Sequence, residues 1–338
     1  MKIQLSHSFE DIISVDNLLS AWQEFILGKK QKKDVQEFGL CLMDNILQLH
    51  TDLANFSYQH SGYQAFNISD PKPRNIHKAS VLDRLLHHAI YRLLYPFFDR
   101  TFIADSFSCR NNKGTHKAIN RFRCLAYSVS KNNTKIVWVL KCDIKKFFAN
   151  INHSVLKSIL TEYIPDQNIL WLLGRVIDSF ETVPNIGLPL GNLTSQLFVN
   201  IYMNVFDQFV KHRLKQQNYI RYADDFVFLS ENKECLTKII TCVNDFLNQK
   251  LHLQIHPHKI SLTTLASGVD YLGCVNFPHH RILRTKTKRR MLRLVNEKNL
   301  PSYLGVLKHI NGYRLRQIAL NMVFLTTLKG LSQFRIKC

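Results

Sequence analysis

The chain has 338 residues, 46% of them hydrophobic, with 45 Lys or Arg against 25 Asp or Glu, a formal net charge of +20. That length can bury a full core, and the charge excess suits a polyanionic partner better than an acidic small molecule. Met1–Glu10 lacks the apolar centre of a signal peptide and no apolar run is long enough to span a bilayer, so a cytoplasmic protein without membrane contact is expected.

In chain order, the residues before Lys72 are mixed and partly helical, with Phe38, Leu42, Met43, Ile46 and Leu47 as their apolar positions. Ser80 and Asp83 have capping-box spacing, and Val81, Leu82, Leu85, Leu86, Ala89, Ile90, Leu93 and Leu94 then recur at helical period. The run Ile136–Asp143 is β-branched and apolar, which predicts a buried strand ending on Asp143. Asn152 is placed to cap a helix carrying Val155, Leu156, Ile159, Leu160 and Tyr163. A long buried helix follows from Leu197, Phe198, Ile201, Tyr202, Val205, Phe206 and Phe209, with Ser195 and Gln196 near its N-terminal end, where free backbone donors lie.

Tyr219–Leu229 reads as a hairpin with Asp224 and Asp225 at its tip. Asp-Asp pairs are common in solvated turns, but the apolar flanks on both sides argue against that reading, and buried carboxylates point to cations. Further on, Arg281, Arg284, Lys286, Lys288, Arg289, Arg290 and Arg293 crowd one segment, either a solvated basic helix or a surface for a nucleic-acid backbone. Pro301–Tyr313 begins with a helix-start signal and places Leu304, Leu307 and Ile310 at helical spacing. The eight cysteines show no Cys-x-x-Cys spacing and read as reduced packing residues, and the pairs His87-His88 and His279-His280 as structural or nucleic-acid-facing residues rather than metal ligands.

A strand ending in Asp143 beside a hairpin bearing Asp224 and Asp225 meets the need of two-metal phosphoryl transfer for acids from separate segments. With Asp143-Ile-Lys-Lys-Phe-Phe148 and Tyr222-Ala-Asp-Asp225 the chain resembles the palm of a reverse transcriptase. The resemblance runs in order from about Lys72 to Tyr313, through Lys72-Pro-Arg74-Asn-Ile76, Phe107–Arg110 with Lys113–Ala118, Gly187–Gln196, His256-Pro-His-Lys259 and Gly268–Gly273.

It implies an α+β right-hand polymerase fold, with fingers, a palm whose antiparallel sheet carries the acidic site, and a short helical thumb. The boundaries expected are 1–71 for an N-terminal extension or fingers, 72–135 for fingers, 136–275 for the palm with a fingers segment about 151–186, and 276–338 for the thumb. No endonuclease, integrase or ribonuclease H module is expected.

The same resemblance implies an RNA-directed DNA polymerase using two Mg²⁺ ions held by Asp143, Asp224, Asp225 and the Ile144 carbonyl. Lys259 would protonate pyrophosphate, Lys72, Arg74 and Arg110 would neutralise the triphosphate, and Tyr222 would set the hairpin against the primer end. Phe148 stands at the steric-gate position, although Phe147 and Phe148 could both be core. RNA template, primer duplex and deoxynucleoside triphosphates are the implied partners.

Within the pocket motif, Leu190-Gly191 followed by Ser195-Gln196 departs from the usual Gln-Gly and Ser-Pro, and so resembles the reverse transcriptases of diversity-generating retroelements. That class copies template adenines with errors and works with a basic accessory variability protein. Leu190 lacks the side-chain amide that would constrain the nascent pair, unless it simply packs the palm. Other readings are a retron, defence-type or group II intron-like polymerase, or an RNA-binding splicing cofactor with a vestigial site, against which the intact carboxylates argue.

Overall fold

The computed structural model describes residues 3–69 and 73–335, with side chains up to residue 325. Lys72, expected at the triphosphate, lies outside the described residues. Four helices open the chain, α1 (Phe9–Ile13), α2 (Val15–Phe25), α3 (Lys33–Leu40) and α4 (Leu42–Ala54), followed by strands β1 (Gln64–Ile68) and β2 (Arg74–Lys78). Then come α5 (Val81–Asp99), α6 (Thr115–Val129), β3 (Trp138–Asp143), α7 (His153–Thr161), α8 (Gln167–Asp178) and α9 (Leu193–Gln208). Strands β4 (Tyr219–Tyr222) and β5 (Asp225–Ser230), helix α10 (Lys233–Leu251), and strands β6 (Ser261–Thr264), β7 (Val269–Tyr271), β8 (Cys274–Asn276) and β9 (Arg281–Leu283) follow. The chain closes with α11 (Thr285–Leu294), α12 (Leu300–Leu307) and α13 (Tyr313–Arg335). These elements form two compact units, the first from Met1–Ala104, Ile144–Lys215 and Cys242–His256, the second from Asp105–Asp143, Gln216–Thr241 and Pro257–Cys338.

In the first unit, α5 packs on α2 and α9. Ser80 caps α5 as expected, its side chain accepting from the Asp83 amide. The box does not close, because the buried Asp83 carboxylate turns inward to accept from the Tyr58 hydroxyl (2.7 Å), the Ser80 hydroxyl (2.6 Å) and the Ser61 amide (3.3 Å). His87 is buried one turn later with its Nε2 3.2 Å from that of His60, and burial followed by the His60 charge depresses its pKa to about 3. It is a structural histidine. Asn152 caps α7 through the Val155 amide (3.0 Å), and Leu156, Ile159 and Leu160 are buried on that helix. Helix α9 is buried nearly all round, so its pattern is not the one-sided stripe of a surface helix.

The turn before α9 is fastened to the β1–β2 hairpin. The His77 amide donates to the Leu190 carbonyl (3.0 Å), and Asn192 Nδ2 donates to the His77 carbonyl (3.0 Å). Gly191 sits between these two anchors at φ +115°, and a Cβ there would stand 2.8 Å from Ile76 Cγ2. Glycine is required on both counts.

The second unit contains a four-stranded antiparallel sheet in the order β4-β5-β3-β6. One face carries Val139, Val227 and Leu229 against Phe122, Ala126 and Val129 of α6, and on the opposite face Leu140, Cys142, Phe226 and Phe228 are buried as well. Burial of both faces explains why these strands read as continuous apolar runs. β3 starts at Trp138, two residues later than expected, and Ile136 is exposed.

A three-stranded sheet, β7-β8-β9, leads into α11 and α12. The expected helix over 301–313 ends at Leu307, while Leu304 and Ile310 still pack against Leu283, Met291 and Leu307. Of the basic segment, Lys286, Lys288, Arg289 and Arg293 are exposed on α11. Arg281 is not part of that solvated face. It lies buried in β9 and donates to Asn276 Oδ1, Asn120 Oδ1 and the carbonyls of His309 and Ile119.

Candidate active site

β3 ends on Asp143 and β5 begins on Asp225, and the two residues are direct partners across the antiparallel pair. Tyr222, at the end of β4, pairs with Asp225, leaving Ala223 and Asp224 as the turn. Ala223 has φ +55°, a left-handed conformation that costs a residue with a Cβ roughly 1–2 kcal/mol. Arg221 opposes that cost. Its side chain is fully buried beneath the turn and donates to the Ala223 carbonyl (3.0 Å) and the Ser106 hydroxyl (3.1 Å).

The backbone of Arg221 is held as well, its amide donating to the Asp105 carbonyl (2.9 Å) and its carbonyl accepting from the Phe107 amide (3.0 Å). Arg121 of α6 clamps both oxygens of Asp105 at 2.7 and 3.1 Å. The Tyr222 hydroxyl lies 3.0 Å from Thr115 Oγ1 at the start of α6.

Three carboxylates thus converge at one end of the sheet. Burial, then Asp143, then Asp225, raises the Asp224 pKa to about 6. Two ammonium groups answer the excess: Lys259 Nζ donates to Asp143 Oδ1 at 2.7 Å, and Lys141 Nζ is 3.7 Å from Asp225 Oδ1. The hydrogen bond to Asp143 raises the Lys259 pKa and keeps that side chain protonated.

Among the described residues no three His, Cys, Asp or Glu side chains stand in a ready-made ligand array. Physically, Lys259 occupies the cation's role at Asp143. The donor set nonetheless fits a hard divalent cation, since it is all carboxylate oxygen and carries a repulsion that a cation would relieve.

The other expected residues divide between the units. Lys259, Tyr222 and Arg110 belong to the second unit with the carboxylates, and Arg110 Nη1 donates to the Ser106 carbonyl (3.0 Å). Arg74, Ile144, Phe148, Leu190, Gly191, Ser195 and Gln196 belong to the first. There Arg74 is exposed at the start of β2, Ser195 is buried, and Leu190 and Gln196 are half-buried. Phe147 is buried while Phe148 is half-buried, so the neighbours differ in environment as residues leaving a strand should. The Ile144 side chain is buried and its backbone bridges to Ile255.

Two site residues escaped the sequence reading. Lys141 shares a strand face with Asp143 by the two-residue period, and Arg221 is a lone charge inside an apolar strand run, so both left a signal.

Because the folded pKa of Asp224 lies above 3.8, the metal-free folded state holds a proton that the unfolded state releases. Stability therefore falls as pH rises from 3.8 to about 6, and the full cost is present above that window. Asp224→Asn should raise the Tm of the protein in EDTA by a few degrees at neutral to mildly alkaline pH and hardly at all near the lower end of the window. Differential scanning calorimetry reads this. A variant no more stable than wild type above the window would contradict mutual repulsion at the cluster.

The family model described as Reverse transcriptase (RNA-dependent DNA polymerase) matches residues 69–276. Protein YkfC of Escherichia coli is 22% identical over 267 residues, covering 68% of each chain. The group II intron-encoded protein LtrA of Lactococcus lactis is 22% identical over 261 residues, covering 56% of this chain and 42% of its own. Apo telomerase from Candida tropicalis superposes with a TM-score of 0.51 at 14% identity, over 72% of this chain and 52% of that one. Telomerase from Candida albicans, in complex with a fragment of telomeric RNA, gives 0.50 at 13% identity, over 75% and 51%. The chain thus spans less than half of LtrA and about half of the telomerase chains. Those structural likenesses establish the α+β right-hand polymerase fold, and the matched residues, which include all three carboxylates, establish the rest: the chain belongs to the reverse transcriptase family of RNA-directed DNA polymerases.

Proposed function

We propose that this chain copies an RNA template into DNA by metal-assisted nucleotidyl transfer, with Asp143, Asp224, Asp225 and the Ile144 carbonyl as the oxygen ligands. The observation that carries this reading is the cross-strand pairing of Asp143 with Asp225, next to Asp224 on the turn. Two Mg²⁺ ions bound there would stabilise the developing charge and lower the pKa of the primer hydroxyl.

The chain's own groups do the rest. Arg221 holds the hairpin tip in its strained turn, and Tyr222 sets that tip against the primer end. Lys259 Nζ carries the proton that the departing pyrophosphate accepts. Lys72, Arg74 and Arg110 neutralise the triphosphate, Phe148 excludes a ribose 2′-hydroxyl, and Gly191, Ser195 and Gln196 shape the pocket beside Leu190. The cytoplasm is the proposed location.

Within the family, the Leu190-Gly191 and Ser195-Gln196 combination supports the diversity-generating class, with errors at template adenines and a basic accessory variability protein as partner. The similarity to LtrA favours a second reading, a group II intron-like polymerase, which would copy without that bias. Primer extension with purified protein, an RNA template, Mg²⁺ and the four deoxynucleotides, with the products sequenced, tests both.

Asp224→Asn should abolish extension while leaving the protein folded and able to bind RNA, because one ligand charge is lost and the exposed basic face of α11 is untouched. Near-normal extension by this variant would overturn the metal assignment. Phe148→Ala should admit ribonucleotides with little loss of RNA affinity, since a steric exclusion is removed and no phosphate contact is changed. An unaltered preference in matched ribo- and deoxynucleotide incorporation would place the gate on another side chain.

Leu190→Gln should lower the misincorporation opposite adenine by roughly tenfold, because a discriminating hydrogen bond is worth on the order of 1–3 kcal/mol. The reading is the error spectrum per extended product. A wild type with uniformly low errors, or a bias unmoved in an active variant, would assign Leu190 to packing.

A further inference from the structure

We propose that the second unit holds a separate docking pocket for single-stranded RNA, which takes one phosphate and one base at the end of the catalytic sheet opposite the carboxylates. The pocket is a cavity of about 420 Å³ between α6, the β8–β9 turn and the segment after α12. Its floor includes Leu265, whose amide donates to the Val137 carbonyl (2.8 Å), immediately before β3 begins. Asp143 is the last residue of that strand, so the cavity and the carboxylates are separated by roughly the strand's length, about 3.3 Å per residue.

The chemistry of the lining selects an anion. It includes Arg123, Lys308 and Arg281 with three histidines, and neither Asp nor Glu. Arg281 is 7% exposed, and the four groups to which it donates, two asparagine oxygens and two backbone carbonyls, are all uncharged. A buried guanidinium without a carboxylate is costly, and Arg123 and Lys308 add repulsion of the same sign. A phosphate in the cavity would supply the missing countercharge.

The walls add flat rings. Tyr127 lies one helical turn beyond Arg123 and is half exposed, and Phe277 stacks on His280 at 4.6 Å with their planes 10° apart. Rings beside a cationic pocket match a base attached to its phosphate, and an accessible base face means an unpaired strand. The choice of RNA over DNA rests on the function proposed above, whereas the pocket and its charge do not depend on it.

The test uses the full chain in EDTA with a short oligouridylate carrying thiouridine, crosslinked by light and mapped by peptide mass spectrometry. Uridine monophosphate and inorganic phosphate serve as competitors. The expected result is crosslinking to the peptides containing Tyr127 and His280, with the oligonucleotide competing far better than either small anion. Arg123→Gln combined with Tyr127→Ala should remove those crosslinks and weaken binding about tenfold, as loss of one stacked base and one phosphate contact predicts. Both side chains are exposed, so the melting curve should stay that of wild type, as should extension on a preannealed primer–template.

Crosslinks confined to other peptides, unchanged affinity in the folded variant, or equal competition by phosphate alone would each overturn the proposal. Failure of the wild type to extend a primer, with the Tyr127 and His280 crosslinks intact, would overturn the polymerase reading and leave this pocket standing.

Discussion

Like charges at the ends of adjacent strands repel, and antiparallel pairing of Asp143 with Asp225 forces that repulsion on the second unit. The surrounding structure answers it in three ways. Lys259 and Lys141 place ammonium groups against two of the carboxylates, and the third, Asp224, responds by holding its proton to higher pH. The backbone strain at Ala223 is met by Arg221, which is itself fixed through Asp105 and Phe107. The two ammonium contacts are non-local, Lys259 reaching Asp143 and Lys141 reaching Asp225 from distant positions in the chain, whereas Arg221 acts two residues away on Ala223.

Two buried arginines illustrate how differently one side chain can be used. Arg221 sits under the hairpin and shapes backbone, donating to the Ala223 carbonyl and the Ser106 hydroxyl. Arg281 also bonds to backbone carbonyls, but its surroundings contain cations and neutral amides, and its burial lowers its pKa. The first shapes a turn, whereas the second ties β9 to α6 and to the segment after α12 and lines a solvent cavity.

Much of this was legible because it is local. The strand ending on Asp143, the acidic turn, the caps at Ser80 and Asn152 and the helix over Leu197–Phe206 all follow from side chains within a few positions of one another. What the sequence concealed depends on distant partners. Asp83 has capping-box spacing, yet Tyr58 and Ser61 claim its carboxylate. Arg281 looks like one more charge in a basic run, yet Asn120 and Ile119, far upstream, draw it into the interior. Arg221 and Lys141 were visible in principle, since a charge in an apolar strand must find a partner, but the identity of that partner is set by the sheet order.

Helix α9 has a further consequence for how the pocket motif can change over generations. Thr194, Ser195 and every position from Leu197 to Asn204 are buried, so a substitution there disturbs packing on several sides at once. Gly191 is equally confined, by its conformation and by Ile76. Leu190, Leu193 and Gln196 are only half-buried, so side chains at these positions can change without dismantling the core. Sequence change is therefore tolerated first at the helix mouth, while the body of the helix acts as a fixed rail that confines innovation to its end.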